Sequence, residues 1–256
     1  MRAAIVVPAF QAERAVAAVV AELGRIWPDP EAVMVVDDGS TDGTAEQARE
    51  AGAQVLRHAR NRGKGAALRT GLRAALDRGF DVAISVDADG QHPPREALRL
   101  RGCCVDPEAL VVGVRDLEAA GAPRANRMSN AFSNVAISGF AWSRLQDTQC
   151  GLRRYPIAAT LALGASADGY GFEAEVLIRA TAARMRIVHV PVRVIYPPEP
   201  ERVTHFDPVW DPTRMVFRVI ATSASTRARW LRTRIARRRH PPTSAAAPAH
   251  GRMTLR

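Results

Sequence analysis

The chain has 256 residues, of which 47% are hydrophobic, and its formal net charge is +10. This length and apolar content are typical of one large α/β domain, alone or with an appendage. No segment of it reaches the roughly 18 consecutive apolar residues of a membrane span, which excludes a transmembrane helix within these residues.

The positive charge is concentrated near the C-terminal end. Residues 213–256 contain eleven Arg and no Lys, Asp or Glu, so residues 1–212 hold the other 25 of the 36 basic residues against 26 acidic ones. The main body is therefore close to neutral and has neither a basic stripe nor an aromatic stacking platform, which argues against nucleic acid as a partner.

The cysteines and the N-terminal residues predict a cytoplasmic location. Cys103, Cys104 and Cys150 lack metal-ligand spacing, and adjacent cysteines rarely bridge each other. The apolar run that follows Met1 and Arg2 is too short for a signal peptide. We therefore expect a reducing compartment.

Strand and helix patterns alternate along most of the chain. The strand patterns cover residues 3–8, 32–37, 53–57, 81–87, 110–114, 148–155 and 187–195. The helix patterns cover residues 12–26, 42–51, 64–78, 94–102, 124–142 and 172–184. Short connections between alternating strands and helices predict an α/β fold with a mostly parallel sheet that is covered on both faces.

A segment rich in acids follows the second predicted strand. Asp37 and Asp38 open the sequence DDGSTDGT at residues 37–44, between a buried strand and a helix N-terminus. Carboxylates and backbone N–H groups in this position can bind a base, a ribose or a phosphate. The alternative is a helix-capping segment, although two successive acids exceed what a cap needs.

A basic segment precedes the third predicted helix. Lys64 stands between two glycines in the sequence NRGKGAALR at residues 61–69, where a cation can approach a diphosphate closely. The spacing is not that of a P-loop. Taken alone, the segment is also compatible with a flexible basic turn.

Two carboxylates follow the fourth predicted strand. Asp87 and Asp89 belong to the sequence DADGQH at residues 87–92, at the edge where open α/β sheets bind ligands. Carboxylates in a loop attract hard divalent cations, which commonly accompany a diphosphate. Because two acids at this spacing are common, a polar loop at a strand end remains the alternative.

Together these segments resemble the family 2 glycosyltransferases, which have the GT-A nucleotide-sugar fold. More closely, they resemble the branch that includes dolichyl-phosphate mannose synthase and the bacterial polyprenyl-phosphate sugar transferases. The matching segments are VPAF at 7–10, VVDDGSTDGT at 35–44, NRGKGAALRTGL at 61–72, DADGQH at 87–92, GVR at 113–115, DTQCGLR at 147–153 and GFEAE at 171–175. The resemblance covers roughly residues 3–205, in order.

The resemblance implies a donor site and a metal site. The residues implied to hold the nucleotide or its diphosphate are Pro8, Ala9, Asp37, Asp38, Lys64 and Asp87. Asp87 and Asp89 are implied to ligate Mg²⁺ or Mn²⁺, which stabilises charge on a nucleoside diphosphate leaving group. Gln91 is implied to be a further ligand or a sugar contact.

The resemblance also implies an acceptor site. Arg115, Arg127, Ser129 and Asn130 are implied to bind an acceptor phosphate, although a surface position on a helix is the alternative for Arg127. Asp147 lies where related enzymes have an acid near the reacting sugar. It would act as the base for a hydroxyl acceptor, whereas an ionised phosphate acceptor needs none.

The C-terminal part departs from the synthase pattern. Where the synthases have a basic loop, this chain has residues 196–206, in which Arg202 and His205 are expected to meet the diphosphate as the loop closes. A structural histidine is the alternative for His205. We expect residues 1–207 to form the catalytic domain, residues 208–239 a basic amphipathic helical extension that binds an anionic membrane surface, and residues 240–256 a disordered tail. The alternative for the extension is a charged helix exposed to solvent.

The expected function is that of a metal-dependent inverting glycosyltransferase. It would use a nucleotide-diphosphate sugar and a polyprenyl phosphate or another lipid-linked acceptor at the cytoplasmic face of the membrane. The alternatives are transfer to a hydroxyl of a glycolipid or polysaccharide precursor, a nucleotidyltransferase, and a non-catalytic binding module. The Gly-rich loop of nucleotidyltransferases is absent after Val7, and the presence of Lys64, Asp87 and Asp89 argues against a non-catalytic module.

Overall fold

The computed structural model describes residues 1–104 and 106–196. Its strands are β1 (Ala3–Ala9), β2 (Val33–Asp37), β3 (Gln54–Arg57), β4 (Val82–Ser85), β5 (Leu110–Arg115), β6 (Arg153–Pro156) and β7 (Ile187–Val192). Its helices are α1 (Glu13–Ile26), α2 (Thr44–Glu50), α3 (Lys64–Asp77), α4 (Arg95–Gly102), α5 (Arg124–Ala141), α6 (Ile157–Ala162) and α7 (Gly171–Ala182), with a 3-10 turn at Pro30–Ala32. None of these helices is long and apolar enough to cross a bilayer.

The strands form one sheet of seven, in the order β3-β2-β1-β4-β6-β5-β7. β6 is antiparallel to both of its neighbours, and the other adjacent strands are parallel. Every residue of β1, β2 and β4 is buried, as expected for strands that are covered on both faces. The predicted α/β fold with a mostly parallel sheet is confirmed.

The register brings the predicted site segments to one edge of the sheet. Ala9 at the end of β1 lies beside Asp37 at the end of β2, and Val6 of β1 pairs with Ser85 of β4. The chain runs from β1 through β2 to β3 on one side, and β4 lies on the other side. A reversal of strand order of this kind opens a crevice at the carboxyl ends of the strands.

The structure corrects two predicted strands. The strand predicted over residues 148–155 is limited to β6, because the preceding residues form a turn in which the Cys150 N–H donates to the Asp147 carbonyl. β7 ends at Val192 rather than at residue 195. Helix α6 was not predicted. The predictions for residues 197–207, 208–239 and 240–256 lie outside the described residues.

Candidate active site

A cleft of about 1250 Å³ opens at the carboxyl ends of β1, β2, β4 and β5. It contains most of the side chains that the sequence predicted for donor, metal and acceptor binding. Those that line it are Pro8, Ala9, Asp38, Lys64, Asp87, Asp89, Gln91, Arg115, Ser129 and Asn130. The loops after separate strands therefore contribute to a single site, as the fold predicts.

Lys64, the first residue of α3, lies between two carboxylates. Its Nζ is 2.7 Å from Asp87 Oδ1 and 3.3 Å from Glu173 Oε1. Burial alone would lower the pKa of Lys64, but the charges of Asp87 and Glu173 raise that pKa above its ordinary value. The ammonium is therefore charged at neutral pH.

The backbone brings these three groups close together. Gly63, which precedes α3, has a φ of +93°, and a side chain there would collide with the Asp168 carbonyl. A Cβ on Gly151 would overlap the Asp87 carboxylate. Glycine at these positions lets α3 approach the loop before α7 and lets the loop after Asp147 approach Asp87.

Asp87 and Asp89 differ in their protonation behaviour. Burial disfavours ionisation of Asp87, but the Lys64 charge and hydrogen bond hold its pKa below the ordinary value. Desolvation by the cleft walls and the neighbouring Asp87 charge raise the pKa of Asp89 to about 6. Two adjacent carboxylates that repel each other favour a bound cation.

The carboxylates of the cleft fit a divalent cation that is also bound by phosphate oxygens of a substrate. Asp87, Asp89 and Glu173 outnumber the single Lys64 ammonium, and Glu173 Oε1 is buried without a hydrogen bond of good geometry. The described residues contain no group of three or more His, Cys, Asp or Glu arranged to hold a metal. Mg²⁺ typically takes one or two protein carboxylates and completes its shell with water and phosphate oxygens.

Asp38 organises the loop in front of α3. Its carboxylate accepts hydrogen bonds from the backbone N–H groups of Arg62 (3.0 Å) and Gly63 (2.6 Å). It also lies 2.6 Å from Nδ1 of His58, whose Nε2 is 2.9 Å from the Thr70 hydroxyl. Asp38 therefore lines the cleft and positions the residue that precedes Lys64.

Asp37 is placed differently from the prediction that it holds the nucleotide. Its carboxylate is fully buried, accepts the Ser40 N–H at 2.9 Å and lies 3.0 Å from Nε of Arg57. It is not among the residues that line the cleft. We attribute to Asp37 the support of the loop that follows β2, because its lone pairs face the protein.

Asp147, which was predicted to act as the base for a hydroxyl acceptor, accepts four hydrogen bonds from Arg115 and Asn130. Its Oδ2 accepts the Arg115 N–H (2.9 Å) and Nε–H (2.8 Å), and its Oδ1 accepts from Arg115 Nη2 (2.7 Å) and from the Asn130 amide (2.6 Å). Burial opposes ionisation of Asp147, yet these hydrogen bonds hold its pKa below the ordinary value. Such a carboxylate is a weak base, and it fixes the Arg115 guanidinium at the cleft wall.

The remaining predicted acceptor residues are not all brought together. Ser129 lines the cleft beside Asn130. Arg127 lies on α5 but does not line the cleft, and its Nη1 is 3.0 Å from the carboxylate of Glu118, which precedes the helix. Arg202 and His205 lie outside the described residues.

Several cleft residues were not predicted as site residues. Glu173, Tyr170 and Gln149 were given no role from the sequence, although all three line the cleft. One signal in the sequence points to this part of the cleft. Lys64 is the only lysine among the 36 basic residues, so a chain that otherwise uses Arg has an ammonium here.

Arg153 supports the loops on both sides of the cleft from within the core. Its side chain is fully buried and donates to the carbonyls of Cys150 (2.8 Å), Glu173 (2.8 Å) and Thr148 (2.7 Å). A guanidinium has N–H donors that point in several directions in one plane, so it can bind three separate carbonyls at once. Arg153 therefore holds the end of the loop after Asp147 against the start of α7.

Replacement of Arg153 by Met is expected to destabilise the protein by about 3 kcal/mol, because three buried carbonyls would lose a charged donor. Thermal unfolding followed by circular dichroism measures this loss. Arg186→Met, at an exposed arginine that precedes β7, provides the matched control and should change the stability little. Equal stability of the two variants would contradict the supporting role of Arg153.

Residues 4–163 match the family model described as "Glycosyl transferase family 2". The chain is 29% identical over 206 residues to the undecaprenyl-phosphate mannosyltransferase of Micrococcus luteus, an alignment that covers 76% of this chain and 84% of that protein. It is 32% identical over 191 residues to the dolichyl-phosphate hexose transferase of Haloferax volcanii, an alignment that covers 74% of this chain and 81% of that protein.

The fold also matches solved structures of glucosyl-3-phosphoglycerate synthase from Mycobacterium tuberculosis. The complex of that enzyme with Mn²⁺, uridine diphosphate and phosphoglyceric acid has a TM-score of 0.67 at 22% identity, with 88% of this chain and 78% of that chain covered. The complex with Mg²⁺ and uridine diphosphate gives the same TM-score and identity. At this level of identity the likeness establishes the GT-A fold.

Proposed function

Because the chain belongs to glycosyl transferase family 2 and is a glycosyltransferase, we propose that it transfers a sugar from a nucleoside diphosphate sugar to a polyprenyl phosphate or another lipid-linked acceptor. The observation that carries the proposal is the cluster of Lys64, Asp87, Asp89 and Glu173 in the cleft. Its excess of carboxylates over ammonium suits a diphosphate only together with a divalent cation.

On the donor side, Asp87 and Asp89 would hold Mg²⁺ or Mn²⁺, and Gln91 would extend this set toward the metal or the sugar. The cation would stabilise the negative charge that develops on the leaving diphosphate. Lys64 adds a fixed positive charge beside the same group, and Pro8, Ala9 and Asp38 form the wall that faces the nucleotide. The glucosyl-3-phosphoglycerate synthase complexes with uridine diphosphate and metal support this assignment.

On the acceptor side, Arg115 is the candidate for binding a phosphate. The hydrogen bonds that Arg115 donates to Asp147 fix the guanidinium, and the Arg115 side chain is 12% exposed at the cleft. Asn130 and Ser129 lie on the same wall and supply shorter polar groups. A planar, preoriented guanidinium binds a phosphate through paired hydrogen bonds.

The chemistry of the cleft favours an ionised phosphate over a hydroxyl as the nucleophile. A hydroxyl must lose a proton, and Asp147, the base that the sequence suggested, is committed to Arg115 and Asn130. A phosphate oxygen can attack the anomeric carbon directly, which breaks the bond to the diphosphate and inverts the configuration. The named polyprenyl- and dolichyl-phosphate substrates of the relatives support this choice.

The test is a panel of nucleotide sugars incubated with the purified full-length chain and Mn²⁺, with and without polyprenyl phosphate in detergent. Release of nucleoside diphosphate is expected with one donor and only in the presence of the lipid phosphate. Release that requires a free polyprenol or a glycolipid hydroxyl would contradict the acceptor assignment. No release with any donor and acceptor, including membrane lipid extracts, would contradict the proposed function.

The affinity for Mn²⁺ is expected to fall as the pH drops through about 6, because Asp89 has a raised pKa of about 6 and its protonated form binds metal poorly. Above that pH the carboxylate is ionised and the affinity should level off. Electron paramagnetic resonance of free Mn²⁺ between about pH 5 and 8 measures the effect. Asp89→Asn should bind more weakly and lose the inflection, whereas an unchanged inflection in that variant would exclude Asp89 as its source.

A further inference from the structure

The outward face of α5 is apolar, which is unusual for the exposed face of a helix. From Met128 to Trp142, each exposed position is nonpolar, and these positions are Met128, Ala131, Phe132, Val135, Gly139 and Trp142. The exposed fractions are 63% for Met128, 59% for Phe132, 75% for Val135 and 82% for Trp142. We call this set the α5 stripe.

The inner face of the same helix carries two polar residues toward the protein, beside the buried apolar Ile137 and Ala141. Asn130 and Ser133 are buried, and Asn130 bonds to Asp147 while Ser133 accepts from Gln149 at 2.8 Å. A surface helix of a soluble protein normally exposes polar side chains opposite its buried side, whereas every exposed position of this helix from Met128 onward is nonpolar. The α5 stripe runs for about 20 Å along the helix, and contiguous exposed apolar surface of this kind marks an interaction site.

The charges around the α5 stripe indicate what covers it. Arg124 and Arg144 are exposed near the two ends of the stripe, and residues 119–146 contain no Asp or Glu. Arg127, the third arginine of this range, pairs with Glu118. Apolar side chains flanked by arginines are typical of helices that lie in the interface of an anionic membrane. Residues 213–256 contain eleven Arg and no acid, so their positive charge would repel the arginines near this face.

We propose that the α5 stripe docks onto the surface of an anionic lipid bilayer. This inference rests on the proposed function, in which the acceptor is lipid-linked, and it gives the acceptor a route into the cleft. Ser129 and Asn130 line the cleft from the same helix, so docking through α5 places the acceptor wall of the cleft near the lipid headgroups.

The experiment measures sedimentation of the full-length chain with vesicles, without donor or acceptor. The vesicles contain phosphatidylcholine alone or with about 30% phosphatidylglycerol, the anionic lipid that should promote binding. Phe132→Ser combined with Val135→Ser is expected to lower the partition coefficient on the anionic vesicles by about tenfold. Leu76→Ser is the matched control, because Leu76 is 41% exposed on α3, and it should stay within about twofold of the unsubstituted chain.

Three outcomes would overturn the proposal. Equal vesicle binding by the double variant and by Leu76→Ser would show that α5 does not contact lipid. A lower oligomeric mass of the double variant in light scattering would assign the stripe to a second copy of the chain. A lower melting temperature with unchanged vesicle binding would assign it to another segment of the same chain.

Failure of this inference can be distinguished from failure of the proposed function. The double variant should retain the turnover of the unsubstituted chain when polyprenyl phosphate is supplied in detergent, because neither substituted residue lines the cleft. No turnover by the unsubstituted chain would contradict the proposed function. Vesicle binding would still report on the α5 stripe in that case.

Discussion

Replacement of Asp89 by Asn is expected to lower sugar transfer by about 10³-fold, because it removes a carboxylate that we propose to ligate the metal beside the leaving diphosphate. The substitution should not lower the stability of the folded protein. The pKa of Asp89 is raised to about 6, which means that the ionised carboxylate is disfavoured in the folded state. The contribution of Asp89 to stability is therefore present at low pH and is lost as the pH rises through about 6. The melting temperature of Asp89→Asn at neutral pH should therefore equal or exceed that of the unsubstituted chain.

Steady-state release of nucleoside diphosphate and thermal unfolding together test this prediction. Asp77→Asn is the matched control, because Asp77 is exposed at the end of α3 and away from the cleft. It should change neither quantity appreciably. If Asp89→Asn retained more than about a tenth of the activity, the metal-ligand assignment would be wrong.

Replacement of Lys64 by Met should lower transfer by about 10² to 10³-fold. In the proposed function the diphosphate loses a fixed positive charge, and Asp87 and Glu173 lose the ammonium between them. Lys64→Arg should restore little activity. The Lys64 side chain is only 18% exposed, and a planar guanidinium does not fit the place of a compact ammonium between two carboxylates. The kcat and KM for the nucleotide sugar measure both effects.

The control for Lys64 is Arg73→Met, which removes a positive charge from an exposed position on the same helix. It should leave kcat and KM nearly unchanged. Full activity of Lys64→Arg would show that only the charge matters and would contradict the geometric argument.

The proposed position of the diphosphate beside Lys64 can also be tested by chemical labelling. Lys64 is the only lysine, so an amine-directed reagent can modify only Lys64 and the terminal amine. Because the Lys64 ammonium is only 18% exposed and its pKa is raised, Lys64 should be labelled slowly. Mass spectrometry of tryptic peptides should show that a nucleotide sugar with Mn²⁺ slows the labelling of Lys64 further and leaves that of the terminal amine unchanged. Equal labelling of Lys64 with and without the donor would place the diphosphate elsewhere.

The sequence by itself determined the layers of the fold and the edge at which the site forms. Continuous apolar runs such as β1 and β2 are buried on both faces, and glycine and acid segments mark where such strands end. These signals are local, since each depends on residues a few positions apart. For the same reason the sequence predicted Lys64, Asp87 and Asp89, which line the cleft, together with the segments that contain them.

Tertiary structure alone decided which of these side chains face the cleft and which support it. Asp37 and Asp38 are adjacent in sequence, yet Asp37 faces Arg57 in the protein and Asp38 lines the cleft. Asp147 is held by Arg115 and Asn130, and Glu173 reaches Lys64, through contacts between residues far apart in the chain. Such pairings depend on strand order, including the antiparallel insertion of β6, and on loop register, which no local pattern of residues encodes.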